Sequence, residues 1–157
     1  IGSGLGAAGF AVYDDTACMV RLATQLSRFL SVESCGQCPA CKLGTGEITA
    51  RLSEIDACHG DENDIAVIGG RLKNVTDGSR CYLPIQEQRV IGSILRAFPE
   101  EFADRLGGVC PRPRPDLIVP IIVDLGGGRV RYDRKRRRKL PDWTFEPKAT
   151  RNVAESG

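Results

Sequence analysis

With 157 residues, 41% of them hydrophobic and 27% charged, the chain has the composition of a globular protein long enough for one domain with its own core. Its net charge of +2 conceals an uneven spread, since residues 129–139 carry eight Lys or Arg against one Asp. The longest apolar run, Leu117 to Val123, contains Pro120 and falls far short of the roughly 18 residues a membrane span needs, and no signal-peptide pattern opens the chain.

Gly2, Gly4, Gly6 and Gly9 precede Phe10-Ala11-Val12-Tyr13, a short alternation that reads as one strand. A dinucleotide fingerprint places its glycines after a strand and before a helix. Here the order is reversed, so residues 1–14 read as an extended lead-in. The start at Ile1 rather than Met leads to the expectation that this strand ends an upstream domain missing from the chain.

A first helix is expected from Asp14-Asp15-Thr16, whose side chains suit free N–H groups and the positive end of a helix. It runs to about Val32, with Met19, Leu22, Leu26, Phe29 and Leu30 on one stripe. It delivers the chain to Cys35, Cys38 and Cys41. A second helix follows Cys41 after an irregular start at Thr45 or Gly46, turns Ile48, Leu52 and Ile55 inward, and ends at Cys58-His59-Gly60, with Gly60 as the C-terminal cap. The third starts around Asp61 to Asp64 and carries Ile65, Ile68, Leu72 and Val75, and Asp77-Gly78 then turns the chain. Past Cys81, Pro84 suits the first turn of a fourth helix. Its stripe is Ile85, Ile91, Ile94, Leu95 and Phe98, and Pro99 opens a short segment reaching Leu106.

The fold class expected is mainly α: a small antiparallel four-helix bundle over residues 15–106, with a short N-terminal strand and a C-terminal hairpin and basic tail. Residues 107–147 form a Pro-rich linker at Pro111-Arg112-Pro113-Arg114-Pro115, a β-hairpin and a basic extension. The hairpin pairs Leu117–Val123 with Arg129–Asp133 around Asp124-Leu125-Gly126-Gly127-Gly128. Residues 148–157 are expected to be a disordered tail.

The C-x₂-C-x₂-C spacing of Cys35, Cys38 and Cys41 can gather three sulfurs over a turn at Gly36 and Pro39. Four thiolates hold a [4Fe–4S] cluster, so a fourth ligand must come from elsewhere. In an up-down bundle the first–second and third–fourth connections share one end, which places Cys81 beside the triplet. Structural zinc is the alternative, in a domain that binds protein or nucleic acid. Zinc sites, however, are usually built from two pairs, and the only histidine, His59, adjoins Cys58. Seven cysteines, an odd number with three clustered, fit a reducing compartment better than a disulfide framework, so the expected location is cytoplasmic.

Glu33-Ser34-Cys35-Gly36-Gln37-Cys38-Pro39-Ala40-Cys41-Lys42-Leu43-Gly44 resembles the E-S-C-G-x-C-x-P-C-R-x-G signature of the NADH-binding flavoprotein subunit of respiratory complex I and related subunits of NAD-linked hydrogenases and formate dehydrogenases. The resemblance covers about residues 1–103. It includes Gly2-Ser3-Gly4 and Val12-Tyr13-Asp14-Asp15-Thr16 upstream, and Arg80-Cys81 through Phe98-Pro99-Glu100-Glu101-Phe102 downstream. Proline precedes Ala40 rather than Cys41, and Lys42 replaces arginine.

The resemblance implies a [4Fe–4S] cluster on Cys35, Cys38, Cys41 and Cys81 that relays electrons from a flavin. FMN and NADH would bind an upstream domain, so the chain alone is not expected to be catalytic. The implied partners are a flavin-containing domain or subunit and another iron–sulfur subunit, in a complex peripheral to the inner membrane face. Cys18, Cys58 and Cys110 read as bystanders. The Arg134–Lys139 run reads as a solvated tail or a docking element for an acidic protein surface, ahead of nucleic acid. Lys42 and Arg80 are expected to raise the cluster's potential.

Overall fold

The computed structural model describes residues 12–109 and 122–132. The chain divides into two compact units, with the boundary between Val119 and Pro120. Phe10 and Ala11 of the expected first strand, the Pro-rich linker, the Arg134–Lys139 run and the tail lie outside the described residues, and Val12 and Tyr13 are described but form no strand.

The first unit is helical: α1 (Met19–Glu33), α2 (Pro39–Asp56), α3 (Glu62–Asn74), α4 (Leu83–Ala97) and α5 (Pro99–Leu106). The first four form the small bundle expected, in which α1 packs on α2 and α4, and α3 packs on α2 and α4. Its centre is aliphatic. Ile48, Leu52 and Ile55 of α2 meet Val20, Ile68, Val75 and Ile91, all without exposed surface. Three-and-four spacing places these side chains on inward stripes, and burying each contributes roughly 1.5–3 kcal/mol.

Several local expectations change. The first helix starts at Met19, not at Asp14. Asp14 instead accepts from the Thr16 N–H and hydroxyl, a turn that competes with helix. The free N–H of Met19 is satisfied from far along the chain by Glu101 Oε2 at 2.9 Å. Phe29 is exposed while Val20, Ala23 and Ser27 are buried, so the buried stripe of α1 is rotated from the expected one.

The second helix begins at Pro39, which takes one of the first two helical positions, so Gly44 to Gly46 are helical rather than an irregular start. Packing overrides their weak propensity: Gly44 is buried, and a Cβ there would stand 3.0 Å from Val75 Cγ2. At the far end Cys58, not Gly60, takes the left-handed conformation, with φ 61°. Gly60 is needed for space, because a Cβ would meet Ile55 Cγ1 at 2.6 Å.

The third helix starts where expected. Asp61 caps α3, accepting from the Asp64 N–H, while Asp64 accepts from the Asp61 N–H. Helix α5 closes the end away from Cys81. Phe102 is buried there, and Arg105 donates to the Asp56 carbonyl at 2.6 Å and to Cys18 Sγ at 2.9 Å.

The second unit holds an antiparallel hairpin of β1 (Ile122–Gly126) and β2 (Arg129–Tyr132). Pairing extends through Asp124 and Leu125, which the sequence reads as turn. The turn itself is Gly127-Gly128, with φ 59° and 72°, the doubly positive geometry that matches strand twist.

Candidate metal centre

Two connections build the candidate site. The first runs from the end of α1 to the start of α2. Ser34 leaves α1 with an extended backbone, its N–H on the Leu30 carbonyl and its Oγ donating to the Ser31 carbonyl at 2.6 Å. Gly36 then adopts φ 79°, a conformation that suits a residue without Cβ. Cys38 is the N-cap of α2, and Cys41 lies in its first turn. The second connection, between α3 and α4, turns at Gly78 with φ 62° and presents Cys81 just before the α4 N-cap, Tyr82.

Cys38 and Cys41 are buried, whereas Cys35 and Cys81 are exposed, and all four are free thiols. Cys41 gathers the electrostatics of the group. Burial pushes its thiol above the ordinary range, and Cys81, Cys38, Cys35 and then Glu87 push it further in the same direction. Each of the other three predicted cysteines thus acts electrostatically on Cys41. Among the described residues, no group of three or more His, Cys, Asp or Glu is drawn in to the spacing of a metal-ion site.

The donor set fits an iron–sulfur centre. Iron would bind these thiols as thiolates, and its positive charge would offset both the burial and the neighbouring cysteines that oppose ionising Cys41. The surrounding helix ends agree. Neither α2 nor α4 has a side-chain cap or an acid in its first turn, so both direct uncompensated positive ends toward the cysteines. By contrast, α3 and α5 carry first-turn acids, and Glu101 bonds the first N–H of α1.

Lys42 has a role beyond charge near the cysteines. Its Nζ donates to the Ser31 carbonyl at 2.9 Å and the Ser34 carbonyl at 3.2 Å, so it ties the end of α1 to the start of α2. The other cysteines lie elsewhere. Cys18 is buried against Arg105, Cys58 is disulfide-bonded, and Cys110 is outside the described residues.

The sequence reading missed Glu87. It stands on α4 in the inward row with Pro84, Ile91 and Ile94, and it has no exposed surface. A carboxylate at three-and-four spacing from apolar residues was the available signal. Ser27 Oγ lies 2.6 Å from Glu87 Oε1.

Among the described residues, no helix is long and apolar enough to cross a membrane. Residues 21–105 match the model of the NADH-ubiquinone oxidoreductase-F iron-sulfur binding region. The chain is 33% identical over 111 residues to the F subunit of the NADH-quinone oxidoreductase of Streptomyces coelicolor, covering 70% of this chain and 25% of that protein. It is 35% identical over 101 residues to the second such F subunit of Rhizobium meliloti, covering 64% and 24%. To the corresponding F subunit of Mycobacterium tuberculosis it is 29% identical over 125 residues, covering 78% and 28%. The chain thus spans about a quarter of the length of these relatives. With the match extending from α1 into α5 and including Cys35, Cys38, Cys41 and Cys81, the chain belongs to the family of the NADH-ubiquinone oxidoreductase-F iron-sulfur binding region, whose cofactor is a [4Fe–4S] cluster.

Proposed function

We propose that Cys35, Cys38, Cys41 and Cys81 together hold one [4Fe–4S] cluster and that the chain is an electron relay. The observation that carries this reading is the electrostatic convergence of Cys81, Cys38 and Cys35 on Cys41, in a chain of an iron–sulfur-binding family. When bound, the cluster supplies one-electron uptake and release.

The protein's part is positioning and dielectric control. Cys38 and Cys41 anchor the inner side of the site at the start of α2, and Cys81 approaches from the start of α4. The free N–H groups of both helix ends favour the added negative charge of the reduced state. Exposed Cys35 and Cys81 give the site an outward side where a redox partner can approach.

The electron source under this reading is a flavin fed by NADH in another domain or subunit, and the acceptor is a further iron–sulfur subunit, in an assembly peripheral to the membrane. Arg134–Lys139 serves as a docking element for an acidic partner surface.

Anaerobic reconstitution with iron and sulfide tests the reading. Brown protein with about four irons per chain is expected, and each of Cys35→Ser, Cys38→Ser, Cys41→Ser and Cys81→Ser should lose or alter the cluster signal. Cys18→Ser should leave it unchanged. Colourless protein holding one zinc would overturn the relay reading.

A further inference from the structure

One buried carboxyl is not used by the cysteine chemistry. Among the described residues, Glu87 makes no hydrogen bond to any of the four cysteines, its one partner is Ser27 of α1, and its Oε2 has none. No described Lys or Arg pairs with it.

Three oxygen–oxygen contacts run in series from this carboxyl. Glu87 Oε1 is 2.6 Å from Ser27 Oγ, Ser27 Oγ is 2.8 Å from Thr49 Oγ1, and Thr49 Oγ1 is 2.7 Å from the Thr45 carbonyl oxygen. Each contact needs one hydrogen, and each hydroxyl carries one. Ser27 and Thr49 supply two, and the carbonyl supplies none. The third must come from Glu87. With Oε1 protonated, every bond runs in one direction, from Glu87 to Ser27 to Thr49 to the Thr45 carbonyl. Oε2 is then a neutral carbonyl oxygen instead of half of an unpaired buried carboxylate, which would be far costlier.

We propose that Glu87 is a positioning residue held as a neutral carboxylic acid, closing a polar clamp that seats α4, and with it Cys81, against the two helices that frame the Cys35–Cys41 loop. Losing the proton removes the third hydrogen: Ser27 then turns its hydrogen to the carboxylate, the Ser27–Thr49 bond between α1 and α2 is lost, and a charged carboxylate with Oε2 unpartnered stays buried, which opposes the seating of α4. Burial raises the carboxyl pKa to about 7 against the opposing pull of the Ser27 hydroxyl, so the clamp stands near its limit at neutral pH. From α2 the titratable group facing Glu87 is Cys41, and its own neighbours Gln86 and Gln88 are neutral. Ser27 of α1 and Thr49 of α2 carry no charge. From α3 and α5 no described charged group bonds to it. The consequence for Cys81 rests on the four-cysteine reading, whereas the protonation of Glu87 does not.

The test uses the whole chain, metal-free and reconstituted with iron and sulfide, at about pH 6 and about pH 9. Infrared spectra near pH 6 should contain a protonated, hydrogen-bonded carboxyl stretch that is absent in Glu87→Gln and moves to higher frequency in Ser27→Ala. In the reconstituted chain, raising the pH should accelerate bleaching of the visible absorbance several-fold more in the wild type than in Glu87→Gln, whose amide still donates to Ser27. Identical carboxyl spectra for the wild type and Glu87→Gln would overturn the protonation. Equal acceleration of bleaching would overturn the positioning role. If Glu87→Gln does not fold, the Ser27→Ala shift decides. If no cluster forms, the infrared arm still decides the protonation, the pH dependence of the urea midpoint replaces bleaching for the clamp, and the four-cysteine reading alone fails.

Discussion

At the scale of single residues, side chains do two or three things at once near the cysteines. Lys42 contributes positive charge and also holds two carbonyls at the end of α1. Lys42→Met should therefore lower stability by roughly 1–2 kcal/mol, read as a lower urea midpoint with an unchanged slope. Glu87 makes a second prediction. Its pKa is about 7 in the folded chain against 4.5 ordinarily, so its contribution to stability is present in full below about pH 4.5 and is lost as pH rises to about 7. The loss amounts to about 3 kcal/mol, from about 1.4 kcal/mol for each pH unit between the two values. Glu87→Gln should abolish that slope and match the wild type at acidic pH. A wild-type stability that is level across this range would contradict the assignment.

Among the elements, each helix is specified to a different depth. The start of α3 is local: the reciprocal bonds of Asp61 and Asp64 need only four consecutive residues. Asp61→Ala should cost about 1 kcal/mol in urea denaturation, with the cysteine site untouched. The start of α1 depends on α5, since Glu101 supplies the acceptor. The first turns of α2 depend on the end of α3, because Gly44 is helical where it packs on Val75. Gly44→Ala should be destabilising by roughly 1–3 kcal/mol although alanine is the better helix former, and thermal unfolding checks the sign.

The whole helical unit has two ends with different cohesion. The far end is sealed by Phe102, by Arg105 on the Asp56 carbonyl and by the Arg21–Asp56 pair at 3.1 Å. The cysteine end has two turns, at Gly36 and Gly78, and two exposed thiols. Metal there would cross-link the two connections, and a cross-link closing a loop of this size is worth roughly 3–4 kcal/mol in the chain-entropy picture. Chelation should bleach the visible absorbance and lower the melting temperature by several degrees, while far-UV circular dichroism retains most of its helical signal, because the aliphatic centre lies between the ends. Complete loss of helix on chelation would show that the aliphatic core cannot stand without metal.

The sequence alone determined the number and order of the main helices, the bundle and the C-x₂-C-x₂-C run between the first two helices. Apolar spacing, the Asp61 capping pair and C-x₂-C-x₂-C act within a turn or two of the chain, and short connections leave few ways to assemble the stripes. Tertiary structure decided what local rules cannot rank: where α1 and α2 begin, that Phe29 is exposed while Ser27 is buried, and that Lys42 bonds carbonyls. The buried carboxyl shows the reason most plainly. A Glu on a helix reads as solvated until two other helices enclose it, and only the oxygens of Ser27 on α1 and of Thr49 and Thr45 on α2, all distant from Glu87 in sequence, determine which hydrogen it must carry.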